Sequence, residues 1–152
     1  MRLLLDEMLF HTARLLRIFG VDAETIKPKN DDELIRHAAK NRQTLLTKDV
    51  DLVSRAKHYG VNALFLRSDK IEEQLIQIKQ ELGIKFDFPN KTRCPMCNGE
   101  LLTVGKERIQ KMVPENVFQN HEKFWLCERC NKAYWEGGHW ENIKRLYEKI
   151  SS

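Results

Sequence analysis

The sequence predicts an α/β protein: a parallel sheet layered between helices, then a small β ribbon pinned by a metal, then a short C-terminal helix. Three observations carry this. Short apolar, β-prone runs alternate with helix-period segments four times through residues 1–82, a pattern that calls for a three-layer sheet with right-handed crossovers. Two of the runs, Arg2–Leu5 and Gln43–Thr47, end abruptly in acid, at Asp6-Glu7 and at Asp49. All four cysteines lie in residues 94–130, as two C-x-x-C pairs.

Composition sets the frame. A hydrophobic content of 41% suffices for a core, and 32% charged residues give a well-solvated surface. No apolar run approaches the length of a bilayer span, and an acidic pair follows the first few residues. A soluble protein without secretory signal or membrane partner is therefore expected, in the cytoplasm. The formal charge of +4 is compatible with a polyanionic partner. Residues 1–90 hold 15 basic and 14 acidic side chains and residues 91–152 hold 11 and 8, so the excess sits mainly in the second part.

Taken in order, the first strand ends at Asp6. Leu9, Ala13, Leu16, Ile18 and Phe19 then recur at helical spacing, and Gly20 stands where a helix C-terminus needs a left-handed residue. Val21–Ile26 reads as the second strand and Lys27–Asn30 as a loop. Asp31-Asp32-Glu33 opens a helix to Asn41, where acids also suit the N-cap and the helix dipole. The strand to Thr47 follows, then a helix Val50–His58, a strand Val61–Leu66, and a long amphipathic helix carrying Ile71, Leu75, Ile78 and Leu82 to Gly83. Lys85–Asn90 looks like a linker, so residues 1–88 and 91–152 are expected as two domains. In the second, Leu101–Val104, Ile109–Val113 and Lys123–Leu126 read as short strands with cysteine pairs at the first and third junctions. Trp140–Ile150 reads as a closing helix.

Cys94-Pro-Met-Cys97 and Cys127-Glu-Arg-Cys130 together read as one tetrahedral thiolate site for structural zinc. Disulfides or a redox pair compete, but a reducing compartment disfavours them. About fifty residues carry too little core to fold alone, and a structural metal supplies the missing stability. His121 and His139 are not needed as ligands once four thiolates are present.

The acids speak for different chemistry. In open parallel sheets ligands collect outside the carboxyl ends of the strands, so two neighbouring strands ending in Asp6 and Asp49 put two carboxylates side by side. Like charges that close call for a cation, and hard divalent ions take oxygen ligands.

With these residues in hand, the chain resembles the Mut7-C family, in which a PIN-like ribonuclease domain precedes a zinc ribbon. The resemblance spans essentially the whole chain. It rests on Leu5-Asp6, Ala13-Arg14-x-Leu16-Arg17-x-x-Gly20-x-Asp22, Asp31 leading to Ala38, and Leu46-Thr47-Lys48-Asp49. In the ribbon it rests on Cys94-Pro-x-Cys97-Asn98, Leu101, Val113-Pro114, Cys127-x-x-Cys130 and Tyr134-Trp135-x-Gly137-x-His139. It implies a PIN-like α/β/α fold and a metal-dependent RNA-cleaving site, an endonuclease, with Asp6, Asp31 and Asp49 at the matched acidic positions. Phe10-His11 stands where the family more often has glycine, which makes the lip of the site different here. A fourth acid of the PIN pattern falls on Asp51, Asp32 or Glu33.

Phosphodiester hydrolysis needs an activated water, a neutralised dianionic centre and a stabilised leaving oxygen, and Mg²⁺ or Mn²⁺ serves all three. Asp6 and Asp49 are the central candidates, Asp31 reaches in from its helix N-terminus, and Asp51 is an outer ligand or orients water. Arg14, Arg17 and Lys48 are candidates for holding RNA phosphates. Thr47 either bonds a site carboxylate or ends its strand. Phe124, Trp125, Tyr134, Trp135 and Trp140 either stack bases or form the ribbon's core. The expected function is RNA hydrolysis, with tRNA, rRNA or the ribosome as partners. The alternatives are a non-catalytic RNA- or ribosome-binding adaptor and a small-molecule phosphohydrolase. Clustered negative charge gains nothing for a surface that merely binds a polyanion, which favours the enzyme.

Overall fold

The computed structural model describes residues 1–151. Four parallel strands, β1 (Arg2–Asp6), β2 (Asp22–Ile26), β3 (Thr44–Thr47) and β4 (Ala63–Phe65), form one sheet in the order β2-β1-β3-β4. Four helices follow them in turn: α1 (Phe10–Ile18), α2 (Asp31–Lys40), α3 (Val50–His58) and α4 (Ile71–Leu82), with a single 3₁₀ turn at Glu7–Leu9 before α1. The expected alternation is present throughout.

Side-chain alternation along β1 and β3 explains the layering. Leu3, Leu5 and Leu46 point into a core with Ala13 and Leu16 of α1 and Leu75 and Ile78 of α4. Leu4 and Leu45 point the other way, onto Leu34, Ile35 and Ala38 of α2 and Leu52 and Ala56 of α3. Five of these strand residues are fully buried, as strands covered on both faces require.

Beyond the sheet, β5 (Leu102–Val104), β6 (Phe124–Cys127) and β7 (Lys132–Trp135) form an antiparallel sheet in that order. One expectation is corrected here. Ile109–Val113 is not a strand; helical turns α5 (Lys106–Ile109) and α6 (Glu115–Asn120) lie between β5 and β6. The physical reason is periodicity: Ile109, Val113 and Val117 recur every four residues and pack with Phe124, so the helical spacing prevails over β-prone composition. The third strand is instead β7. The first cysteine pair accordingly precedes β5 and the second lies at the β6–β7 junction. No helix among the described residues is long and apolar enough to cross a membrane.

The last helix, α7 (Trp140–Ser151), returns to the parallel sheet's core. Ile150 is buried there, with Ile143, Leu146 and Tyr147 packed alongside. Tyr147 donates from its hydroxyl to the Phe86 carbonyl at 3.2 Å, and its ring lies 5.5 Å from Phe19.

Residues 87–93 close over the end of α1 and bond its terminal carbonyls, of which Arg17 O also accepts from the Gly20 N–H at 3.0 Å. The Asp87 N–H donates to Phe19 O at 2.9 Å, the Thr92 hydroxyl to Ile18 O at 2.8 Å and the Arg93 N–H to Arg17 O at 2.8 Å. Gly20 permits this approach. Its φ is +85°, and a Cβ there would stand 3.1 Å from Lys91 Cβ and 3.3 Å from Lys91 O. Gly20→Ala therefore combines a left-handed alanine with a crowded linker, and a loss of about 1–2 kcal/mol of stability is expected in equilibrium urea unfolding.

Candidate acidic edge and metal centre

Register places the acids on one edge. Leu5 pairs with Leu46 across β1 and β3, and Asp6 with Ile26 across β1 and β2, so the chain leaves all three strands at the same end of the sheet. Asp6 ends β1. Its Oδ1 accepts from the Met8 N–H at 2.8 Å, which turns the backbone into the 3₁₀ turn. Asp49, two residues beyond β3, caps α3, with Oδ1 accepting from the Asp51 and Leu52 N–H groups at 2.9 and 3.2 Å. In each case Oδ2 has no hydrogen-bond partner among the described residues. Buried Thr47 accepts the Asp49 N–H at 3.1 Å, so it positions the turn rather than a carboxylate.

Asp31 is the first residue of α2, Asn30 taking the N-cap by accepting from Glu33 N–H at 2.8 Å. The Asp31 carboxylate is held by Arg55 of α3 at 3.2 Å, and Arg55 also bonds Asp32. Asp51 is exposed in the first turn of α3. Lys48 is paired with Asp69, which follows β4 on the same edge. Among the described residues the carboxylates share this edge without gathering to a common ligand distance, and the four cysteines do gather.

The pairings of Arg55 and Asp69 are not legible in the sequence. Their partners lie more than twenty positions away, and the sole local sign was Arg55 standing one helical turn beyond Asp51. Arg17 is a correction. Expected to hold a substrate phosphate, it is 2% exposed and lies inside the protein. Its Nε donates to Ala23 O at 2.7 Å, Nη1 to Pro95 O at 2.7 Å and Nη2 to Thr25 Oγ1 at 3.0 Å. Burial draws its pKa down, opposed by the charges of Cys94, Cys97 and Glu24. Arg14 keeps partial exposure, one helical turn away.

Each cysteine pair forms a turn closed by an asparagine in the left-handed region, Asn98 at φ 68° and Asn131 at φ 54°. The repeated Cys-x-x-Cys-Asn, at 94–98 and 127–131, is the sequence signal for these turns. Gly99 N–H points at Cys97 Sγ and Cys130 N–H at Cys127 Sγ, both at 3.4 Å. Asn98 also ties the turn to the parallel sheet, accepting from Ala23 N–H at 3.1 Å and donating to Asp22 at 2.7 Å.

All four Sγ atoms lie within 4.8 Å of one another, with Cys94–Cys130 at 3.9 Å and Cys97–Cys127 at 3.5 Å. Zn–S bonds of about 2.3 Å in a tetrahedron put sulfurs roughly 3.8 Å apart, whereas a disulfide needs about 2 Å. The cluster therefore fits zinc and has no open position for substrate. Burial pushes the Cys94 thiol up, but the Tyr134 hydroxyl and the Cys97 and Met96 backbone N–H groups outweigh it, leaving the thiol at about 7. Cys130 is pushed up to about 12 by its contact with Cys97, burial and neighbouring Cys94, and burial raises Cys127. Without a metal, four thiols this close resist ionising together; a bound cation removes that conflict.

A family model described as the Mut7-C RNAse domain matches residues 1–147, nearly the whole chain. The chain belongs to the Mut7-C RNAse domain family. No curated protein and no solved structure matches it. Mut7-C membership suggests a ribonuclease-like function with RNA as the substrate class, and the cysteine cluster is compatible with zinc.

One equivalent of zinc per chain is expected by elemental analysis, and Cys94→Ser or Cys127→Ser should lower it to near zero. Affinity should fall on acidification, because protons compete for the thiolates that the metal needs. Arg17→Met should cost about 3 kcal/mol in urea unfolding, since it strands the buried Ala23 and Pro95 carbonyls.

Proposed function

We propose that the chain is a metal-dependent ribonuclease of PIN-like architecture, in which residues 1–88 hydrolyse RNA at the acidic edge and the zinc ribbon of residues 91–152 assists RNA binding. One observation supports this above the others. Adjacent parallel strands deliver Asp6 and Asp49 to one edge, each fixed through one carboxylate oxygen with the other left over, in a chain of an RNAse family.

That donor set suits Mg²⁺ or Mn²⁺, with Asp6 and Asp49 as the residues that would hold the ion. Bound there, such an ion lowers the pKa of a water and offsets charge on the phosphoryl group. The chain's own residues act around it. The backbone N–H groups of Met8, Asp51 and Leu52 hold the two carboxylates at fixed angles before substrate arrives, which limits reorganisation. Arg55 balances Asp31 and Asp32 in the substrate-free state and is suited to a phosphate oxygen when an RNA strand competes for it. Asp31, no longer paired with Arg55, would then be a further carboxylate able to hold such an ion. Asp51, exposed in the first turn of α3, is the candidate for an outer ligand or for orienting water, and Lys48 is the candidate for a phosphate of the RNA backbone.

The adaptor reading draws on the same ion pairs: Arg55 and Lys48 neutralise Asp31, Asp32 and Asp69 within the protein. Catalysis separates the two. With Mn²⁺ or Mg²⁺ the purified chain should cleave single-stranded or structured RNA. Asp6→Asn and Asp49→Asn should each slow this roughly a hundredfold or more at unchanged circular dichroism. Equal cleavage by wild type and both variants would identify a contaminant and reject the enzymatic reading.

A further inference from the structure

Where α1, residues 88–95, β7 and α7 meet, there is a groove of about 410 Å³ lined by sixteen residues, none of them a carboxylate. Trp125, Tyr134, Trp135, Trp140 and Phe88 supply aromatic walls, and Arg14 and His139 supply the basic groups. Neither the acidic edge nor the zinc site accounts for it. We propose that this groove takes an unpaired nucleobase of single-stranded RNA, at a position away from the bond that is cut. The inference rests on the ribonuclease reading above and adds the part of the substrate that this surface recognises.

Three features select this occupant. The tryptophans are not sealed in a core: Trp125, Trp135 and Trp140 all keep partial exposure, although Trp140 packs between Trp125, at 5.7 Å and 13°, and Phe88, at 4.8 Å. Exposed aromatic faces bind any base and do so best when it is unpaired. Next, Arg14 lines the groove and keeps partial exposure while making no hydrogen bond or ion pair among the described residues, its Nε itself being enclosed. A base carbonyl or flanking phosphate is the acceptor that a guanidinium beside aromatic rings would meet in RNA. The absence of acids among the lining residues suits a polyanion in a way that the carboxylate edge by itself does not.

The groove is also connected to the proposed cutting edge. Phe10, Arg14 and Ile18 stand four residues apart on α1, hence on one face; Phe10 lies at the end beside Glu7, and Arg14 and Ile18 line the groove. Eight residues separate Asp6 from Arg14, on the order of 12 Å along a helical path. A strand lying along α1 thus reaches both. An apolar peptide is the competing occupant, and the groove's unpartnered guanidinium argues against it.

The test uses the full chain with Asp49→Asn, so that RNA stays intact, and a single-stranded oligouridylate of roughly eight nucleotides carrying one 4-thiouridine. Photocrosslinks mapped by mass spectrometry should fall on Trp135, Trp140 or Tyr134, and tryptophan emission should be quenched by this RNA more than by the same sequence in a duplex. In the cleaving wild-type background, Arg14→Gln should raise KM for the oligonucleotide about tenfold with kcat unchanged. A dinucleotide substrate too short to span both places should be unaffected. Crosslinks confined to Phe10, Lys48 and Arg55 with normal cleavage would overturn the groove and leave the nuclease reading intact. Groove crosslinks in a chain that never cleaves would do the reverse. Tryptophan emission changed by an apolar peptide but not by the RNA would also overturn it, in favour of a protein partner.

Discussion

The arrangement depends on one buried guanidinium. Arg17 sits near the end of α1, and its three nitrogens reach Ala23, Thr25 and Pro95, so a helix, the second strand and the first cysteine turn converge on a single cation. An arginine with no water costs energy unless its donors are satisfied and negative charge is near. Both conditions are met, by two carbonyls and a hydroxyl at hydrogen-bond distance and by the neighbouring Cys94, Cys97 and Glu24. A tetrathiolate zinc site would carry net negative charge, so a bound zinc would strengthen the attraction that keeps Arg17 inside and would link metal binding to the packing of the parallel sheet through one side chain.

The acidic edge shows a different balance. Carboxylates at strand ends repel one another, and the chain answers with backbone N–H groups at Asp6 and Asp49 and with Arg55 and Lys48 at Asp31, Asp32 and Asp69. These ion pairs are partly exposed, so each contributes little to stability. Their weakness leaves them open to exchange with other ions.

Much of this was legible in the chain itself. The alternation of strands and helices follows from hydrophobic period, and the two sulfur-bearing turns follow from C-x-x-C spacing, because both signals are local. Asp6 and Asp49 could be placed on one edge because parallel strands all finish at the same side. What failed to show was non-local. Arg17 and Arg14 look alike as helix arginines, and only the return of residues 87–95 buries one and leaves the other at a surface. Ile109–Val113 has β-prone composition, but its apolar residues recur every four positions and fold as helical turns, while Lys132–Trp135 has little apolar alternation to announce β7. The fate of the aromatics was likewise undecidable from type: Phe124 is fully buried, whereas Trp125 beside it remains partly open.

Ala23 carries a last consequence. β2 is the outer strand of the parallel sheet, and Ala23 turns both of its main-chain polar groups away from β1: the N–H is taken by Asn98 and the carbonyl by Arg17. An outer strand with free groups is a template for joining another molecule's strand, the usual route to edge-to-edge aggregation. Here two side chains, one from the cysteine turn and one from α1, blunt that template near its start. At the opposite border β4 is only three residues long, too short to offer much of a ladder. Self-association through this sheet is thus resisted at both margins, by side-chain capture at one and by brevity at the other.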